Sequence, residues 1–273
     1  MDAPPAGCGV TAGIAIDLAA EPGLAVLRLD NAARRNAISA AMWEAIGAFA
    51  RSVGERPEVR VVLVEGTAGL FSAGADISGF AEGRAGGAGD TSYDDLVEAT
   101  CRLVEAIPQP VIAAVEGICF GAGASLAASC DLRVASAEAC FAVPAARLGL
   151  GYDIRGIARF RRVFGPGGTA ALLFTADRMS APEAHMLGAV QRIVPVGETA
   201  AVARAIARRI ASNAPLTLRA AKTALRALAA EAASTEALTD EARALAARAD
   251  ASADYAEGRA AFSEKRPPRF TGT

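Results

Sequence analysis

A chain of 273 residues, 52% hydrophobic and 21% charged, suits one large α/β domain or one domain with an appendage, and is too apolar for a disordered segment. Its 28 basic and 30 acidic residues leave a formal net charge of −2, which excludes a basic field for nucleic acid. One histidine and five scattered cysteines without a CxxC pair exclude a structural zinc site and suit small buried thiols in a reducing compartment.

Residues 1–12 read as a loose tail, and the first ten lack the basic and apolar segments of a signal peptide. Leu24 to Leu29 is a short apolar strand, followed by an Asn- and Arg-rich turn from Asp30 to Asn36. Ser39 is placed to cap a helix reaching about Val53. The β-branched run Val59 to Val64 predicts a strand buried on both faces. Gly66 to Gly79 is a glycine-punctuated loop, and Gly83 to Asp90 has the composition of a mobile one. A helix from about Ser92 to Ile107 ends before Pro108 and Pro110. The apolar stretch from Val111 to Cys130 is interrupted by Glu116, Gly117, Gly121 and Gly123. It therefore predicts a strand, a glycine turn and a helix to about Ser129 rather than a membrane span. A strand over Leu132–Ala135, a loop over Phe141–Asp153 and a helix over Gly156–Val163 come next. Ser180-Ala-Pro-Glu183 is a capping box that opens a helix containing His185. Ile193–Val196 is a last strand, and the chain from Thr199 to about Phe262 is helical in pattern. The alternation of strands and helices predicts an α/β core over 13–199 with a helical region over 200–273. A soluble cytoplasmic protein is the expectation.

Two glycine motifs carry the chemical signal. Gly117-Ile-Cys-Phe-Gly121-Ala-Gly123 follows a strand and opens a helix, a position suited to an anion or a polarised carbonyl. Leu126 stands where a dinucleotide fingerprint needs its third glycine, and there is no P-loop lysine. Close helix–strand packing is the alternative use of these glycines. Phe71-Ser-Ala-Gly-Ala-Asp76-Ile77 lacks the glycine that a hydrolase elbow needs before its serine. His185, in a capped amphipathic helix, reads as structural.

These two motifs resemble the crotonase, or enoyl-CoA hydratase/isomerase, family. So do Arg35-Asn-Ala-Ile38, Pro110 to Val115, Cys130-Asp-Leu-Arg133, Ser180 to Ala184, Gly188-Ala-Val190 and Glu257 to Pro268. The pieces stand in family order from about residue 10 to 270. The resemblance implies a spiral of ββα units with a C-terminal helical trimerisation region, assembled as a homotrimer or a dimer of trimers. It also implies an acyl-CoA thioester as ligand, with no separate cofactor, no metal and no nucleic-acid or membrane partner. The backbone N–H groups of Ala75 and Ala122 would hold the thioester oxygen. Such donors stabilise an enolate-like charge without reorganising, each worth roughly 3–4 kcal/mol. For CoA itself the resemblance implies Arg34, Asn36, Ala37, Ala73, Asp76 and Ile77, with Phe262 and Lys265 of a neighbouring subunit. Within that set Asp76 reads as the residue holding the loop that presents Ala75.

The two glutamates of the family's hydratases correspond here to Ser125 and Ala145. The remaining carboxylate candidate is Asp153, at the position of a reactive aspartate in aromatic-CoA dehalogenases of the family; its alternative is an ion pair with Arg155, Arg147 or Arg159. Tyr152 either donates a hydrogen bond to the acyl group or walls the pocket. An enoyl-CoA hydratase or isomerase is expected. Hydrolysis or other chemistry through Asp153, and acyl-CoA binding without turnover, are the alternatives.

Overall fold

The computed structural model describes residues 8–11, 13–76, 93–230, 247 and 250–268. Seven strands form one mixed sheet, and its order explains its burial. Strands β1 (Cys8–Thr11), β2 (Ile14–Glu21) and β3 (Leu24–Leu29) pair antiparallel in sequence. From β3 the sheet continues in parallel through β4 (Val61–Gly66), β5 (Val111–Val115), β7 (Leu132–Ser136) and β10 (Arg192–Val194). Parallel strands need crossovers, so both faces are covered and the strands read as continuous apolar runs. Alternate residues then serve two cores. Ala25, Leu27, Leu29, Val62, Val64, Val111, Ala113 and Val115 face the larger one, while Leu24, Val26, Val61, Leu63, Ile112 and Ala114 face the smaller.

The larger core is closed by α1 (Ala40–Val53), α2 (Tyr93–Ala106) and α3 (Ala122–Ser129). Ser39 caps α1 as expected, accepting from the Met42 N–H at 3.3 Å. A second, three-stranded sheet sets β6 (Ile118–Phe120) beside β8 (Cys140–Ala142) and β9 (Met179–Ser180). Helix α4 (Ile154–Phe174) is broken at Gly165, where φ is 71° just before Pro166. The expected capping box is present at Ser180 and opens α5 (Ala181–Met186). Beyond it lie α6 (Thr199–Ala211), α7 (Pro215–Ala230) and α8 (Ala253–Ser263).

Several expectations need correction. The tail expected loose over 1–12 contains β1, because the edge of β2 offers it a pairing partner. Strand β2 lacked a legible period and was not expected. The loop expected from Phe141 instead begins within β8, and the helix expected over Gly156–Val163 is longer at both ends. Helix α6 seals the smaller core through Ala203 and Ala207, so the layer covering the second sheet face lies beyond residue 199. The expected mobile loop Gly83–Asp90 lies outside the described residues. No described helix is long and apolar enough to cross a membrane.

Candidate active site

The site is built where two loops are forced together. Asn36 has a left-handed backbone, φ 54°, and is fully buried. Its Oδ1 accepts from the Asn31 N–H, and its Nδ2 donates to the carbonyls of Thr67 and Leu70 at 3.0 and 3.1 Å. Ser72, also buried, donates from Oγ to the Asn36 carbonyl at 2.7 Å and accepts from the Gly74 N–H at 3.1 Å. Backbone bonds complete the lock: Ser72 N–H to Ile118, Phe120 N–H to Ser72, and Ile38 N–H to Gly74.

This lock aims two amides. Gly74 has φ 114° and Gly121 has φ 46°, conformations that side chains resist, and each immediately precedes one expected donor. A Cβ on Gly74 would lie 3.9 Å from the Ala122 nitrogen, so the two loops touch. Among the described residues neither the Ala75 nor the Ala122 N–H donates a hydrogen bond. The Ala122 N–H also opens α3, where the helix dipole favours negative charge.

Both residues line a cavity of about 210 Å³. Its walls are mostly apolar: Val97, Val143, Pro144, Leu148 and Leu150, with Phe262 as one side. Polar groups converge in it. Ser125 and Tyr152 share a hydrogen bond of 2.9 Å between hydroxyls. Burial pushes the Tyr152 phenol well above its usual range, although the bond from Ser125 opposes this. Asp153 also lines the cavity while capping α4. Its Oδ1 accepts from the Arg155 N–H at 2.7 Å and from Arg155 Nε at 2.8 Å, and its Oδ2 accepts from Arg155 Nη2. Arg155, not Arg147 or Arg159, is thus the observed partner.

The lining residues, the glycine-aimed amides and the chain's relatives agree. The model of the enoyl-CoA hydratase/isomerase family matches residues 19–273. The chain belongs to the enoyl-CoA hydratase/isomerase family. It is 35% identical over 263 residues to a crotonyl-CoA hydratase of Syntrophomonas wolfei, covering 93% of this chain and 97% of that one. An enoyl-CoA hydratase/carnitine racemase of Magnetospirillum magneticum superposes with a TM-score of 0.78 at 33% identity, covering 98% of both chains. A methylmalonyl-CoA decarboxylase complexed with 2S-carboxypropyl CoA superposes with a TM-score of 0.87 at 28% identity, covering 97% of this chain and 100% of that one. The mixed α/β architecture is that of the crotonase fold.

Other expected residues are placed as follows. Ala73, Ala75, Ala122, Tyr152, Asp153 and Phe262 meet at the cavity, and Ser125 and Ala145 line it too. Phe262 lines the cavity of its own chain. Gly258 is the reason: a Cβ there would lie 2.2 Å from the Leu148 carbonyl oxygen, so α8 docks directly on its own 3₁₀ turn Pro144–Leu148. Lys265 is exposed and does not line the cavity. The Asn36 side chain bonds the surrounding loops, which corrects its expected contact with CoA. Asp76 holds Arg34 at 2.9 Å, in keeping with its reading as a loop holder, and Ala37 is half-buried. Ile77 lies outside the described residues. His185 is structural, its Nδ1 lying 2.7 Å from the Val190 carbonyl oxygen.

Among the lining residues that sequence reasoning missed, two carry structure around the site. Tyr93 accepts from Trp43 Nε1 and donates to the Ile38 carbonyl, tying α2 to the amide-bearing loop. Glu98 is buried in the wall and gripped by Arg159 at 3.1 and 2.6 Å. Its signal was available. Glu98 falls on the apolar face of α2 with Val97, Cys101 and Val104, an unusual position for a carboxylate.

Proposed function

We propose that the protein binds a short acyl-CoA thioester and hydrates or isomerises it through an enolate held by the Ala75 and Ala122 amides. The observation that carries this reading is that Ala75 and Ala122, each set by a preceding positive-φ glycine, line one apolar cavity. Crotonase-type acyl-CoA chemistry is what the family and its named members support. Asp153 is the base and Tyr152 the acid, in place of carboxylates at 125 and 145. In hydration, a water adds to the β-carbon as its proton passes to Asp153. The electrons move to the thioester oxygen, Tyr152 protonates the α-carbon, and the cycle closes when Asp153 gives up the water's proton and the Tyr152 phenolate takes one back, so that one water is added with no net proton exchanged. A buried phenol stays protonated at neutral pH, and the enolate is far the stronger base, so this transfer runs downhill.

CoA would lie along Arg34, Ala37 and Ala73, where a basic side chain suits phosphate, with Lys265 of a neighbouring subunit completing the site. The reading needs no cofactor besides CoA, which is part of the substrate. It includes assembly as a homotrimer or a dimer of trimers. It also includes a cytoplasmic location, supported by the free thiols of Cys101, Cys119 and Cys130.

Turnover of crotonyl-CoA, followed at the enoyl-thioester absorbance, tests the reading. Loss of absorbance at a rate proportional to enzyme supports it. Tight binding of crotonyl-CoA without turnover favours a carrier, a reading that the absence of a carboxylate at 125 and 145 keeps open.

A further inference from the structure

Glu98 has no part in the proposed proton transfers, yet it occupies the cavity wall and is only 4% exposed. Its ion pair with Arg159 has a direction. Glu98 lines the cavity, whereas Arg159 stands behind it and reaches on to Glu105 at 2.9 Å. The same arrangement recurs at Asp153, which lines the cavity while Arg155 does not. Asp94 adds a third acidic residue to the wall. Among the described residues no lysine, arginine or histidine lines this cavity.

We propose that Glu98 determines the class of acyl group: it admits neutral acyl chains, favours those carrying a hydroxyl, and rejects those carrying a carboxylate. The inference rests on the cavity being the acyl site. A carboxylate entering it would shed its hydration and find acidic neighbours and, among the described lining residues, no cation. A hydroxyl would find an acceptor already held in place, because a carboxylate oxygen bonded to arginine retains another lone pair. Discrimination built on such buried polar groups is steep. The named decarboxylase neighbour was solved with a carboxypropyl ligand, so the inference separates this chain from that relative by chemistry rather than by fold.

Matched ligands test it on the full chain. Butyryl-CoA, 4-hydroxybutyryl-CoA and succinyl-CoA have four-carbon acyl groups and differ in what the terminal carbon carries. Titration calorimetry is expected to show succinyl-CoA binding at least tenfold more weakly than butyryl-CoA, and the hydroxy ester at least as tightly as butyryl-CoA. In Glu98→Gln the succinyl-to-butyryl ratio should narrow severalfold, because a negative charge is gone and Arg159 is partly released. Succinyl-CoA binding within threefold of butyryl-CoA in the unaltered protein overturns the inference and leaves the acyl-CoA site standing. A folded Glu98→Gln with an unchanged ratio removes Glu98 as its cause. If none of the three esters binds, the site assignment itself falls, and the inference with it.

Discussion

Asn36 shows how much of the site depends on a residue that need not touch substrate. Its side chain bonds Asn31, Thr67 and Leu70 across two loops, and its backbone sits at φ 54°. Asn36→Ala strands those buried groups and puts a Cβ-bearing residue with no local bonds in the left-handed region. We expect a loss of about 3 kcal/mol and a fall in Tm of roughly 6–12 °C by calorimetry. A Tm within 2 °C of the parent contradicts the lock. Tyr152 makes a different prediction. Its neutral form is held by burial, with the shift directed upward. Rate should therefore show no phenol-dependent loss up to pH about 10, where an ordinary tyrosine is half ionised. A Tyr152-dependent fall below pH 9, absent from Tyr152→Phe, would show that burial does not set its state.

At the level of elements, helix α8 and the turn beneath it act as one unit. Gly258 lies against the Leu148 carbonyl, and a Cβ on Gly149 would lie 2.6 Å from the Asp254 carbonyl oxygen. The Gly151 N–H donates to Asp250 at 2.9 Å. This turn leads directly to Tyr152 and Asp153, so the helix also positions the proposed acid and base. Gly258→Ala should lift α8 and displace Phe262 from the cavity. We expect acyl-CoA affinity to fall by roughly tenfold with global Tm nearly kept, since the helix is peripheral to both sheet cores. Unchanged affinity in a folded variant counts against the coupling. Sequence reasoning reached the buried parallel strands and the caps because they are local: Ser39 and Ser180 cap as their spacing implies. It missed this docking because Gly258 matters only through contact with a segment about a hundred residues away. Asp153's choice of Arg155 over Arg147 and Arg159 was hidden for another reason: the helix was expected to start at Gly156, so Asp153 was not read as its N-cap.

On the scale of the molecule, the two cores were legible as apolar runs, but the role of α6 was not. Its alanines at 203 and 207 look like any helical stripe until the second face of the sheet is seen to need a cover. Beyond α6, α7 is tied in by Lys222, which donates to Asp131 at 2.6 Å and to the Gln109 carbonyl at 3.0 Å. Burial draws the Lys222 ammonium below its usual range, opposed by Asp131. Leu216 and Leu225 on the same helix are 79% and 69% exposed. Most of α7 over 215–226 is exposed, and it is the surface that the proposed assembly would cover. Sedimentation equilibrium at micromolar concentration should give a trimer or hexamer; a monomer would leave those leucines unexplained.

The assignment of base and acid to Asp153 and Tyr152 is tested most directly by one pair of variants assayed with crotonyl-CoA. Asp153→Asn keeps an N-cap residue on α4 and removes the base, so the fold should survive. Tyr152→Phe keeps the ring and removes the acid. Each should lower kcat by roughly 10²–10⁴-fold while the affinity for butyryl-CoA changes less than threefold. Full rate retained in Asp153→Asn would contradict the account, reducing that carboxylate to a cap and a partner for Arg155.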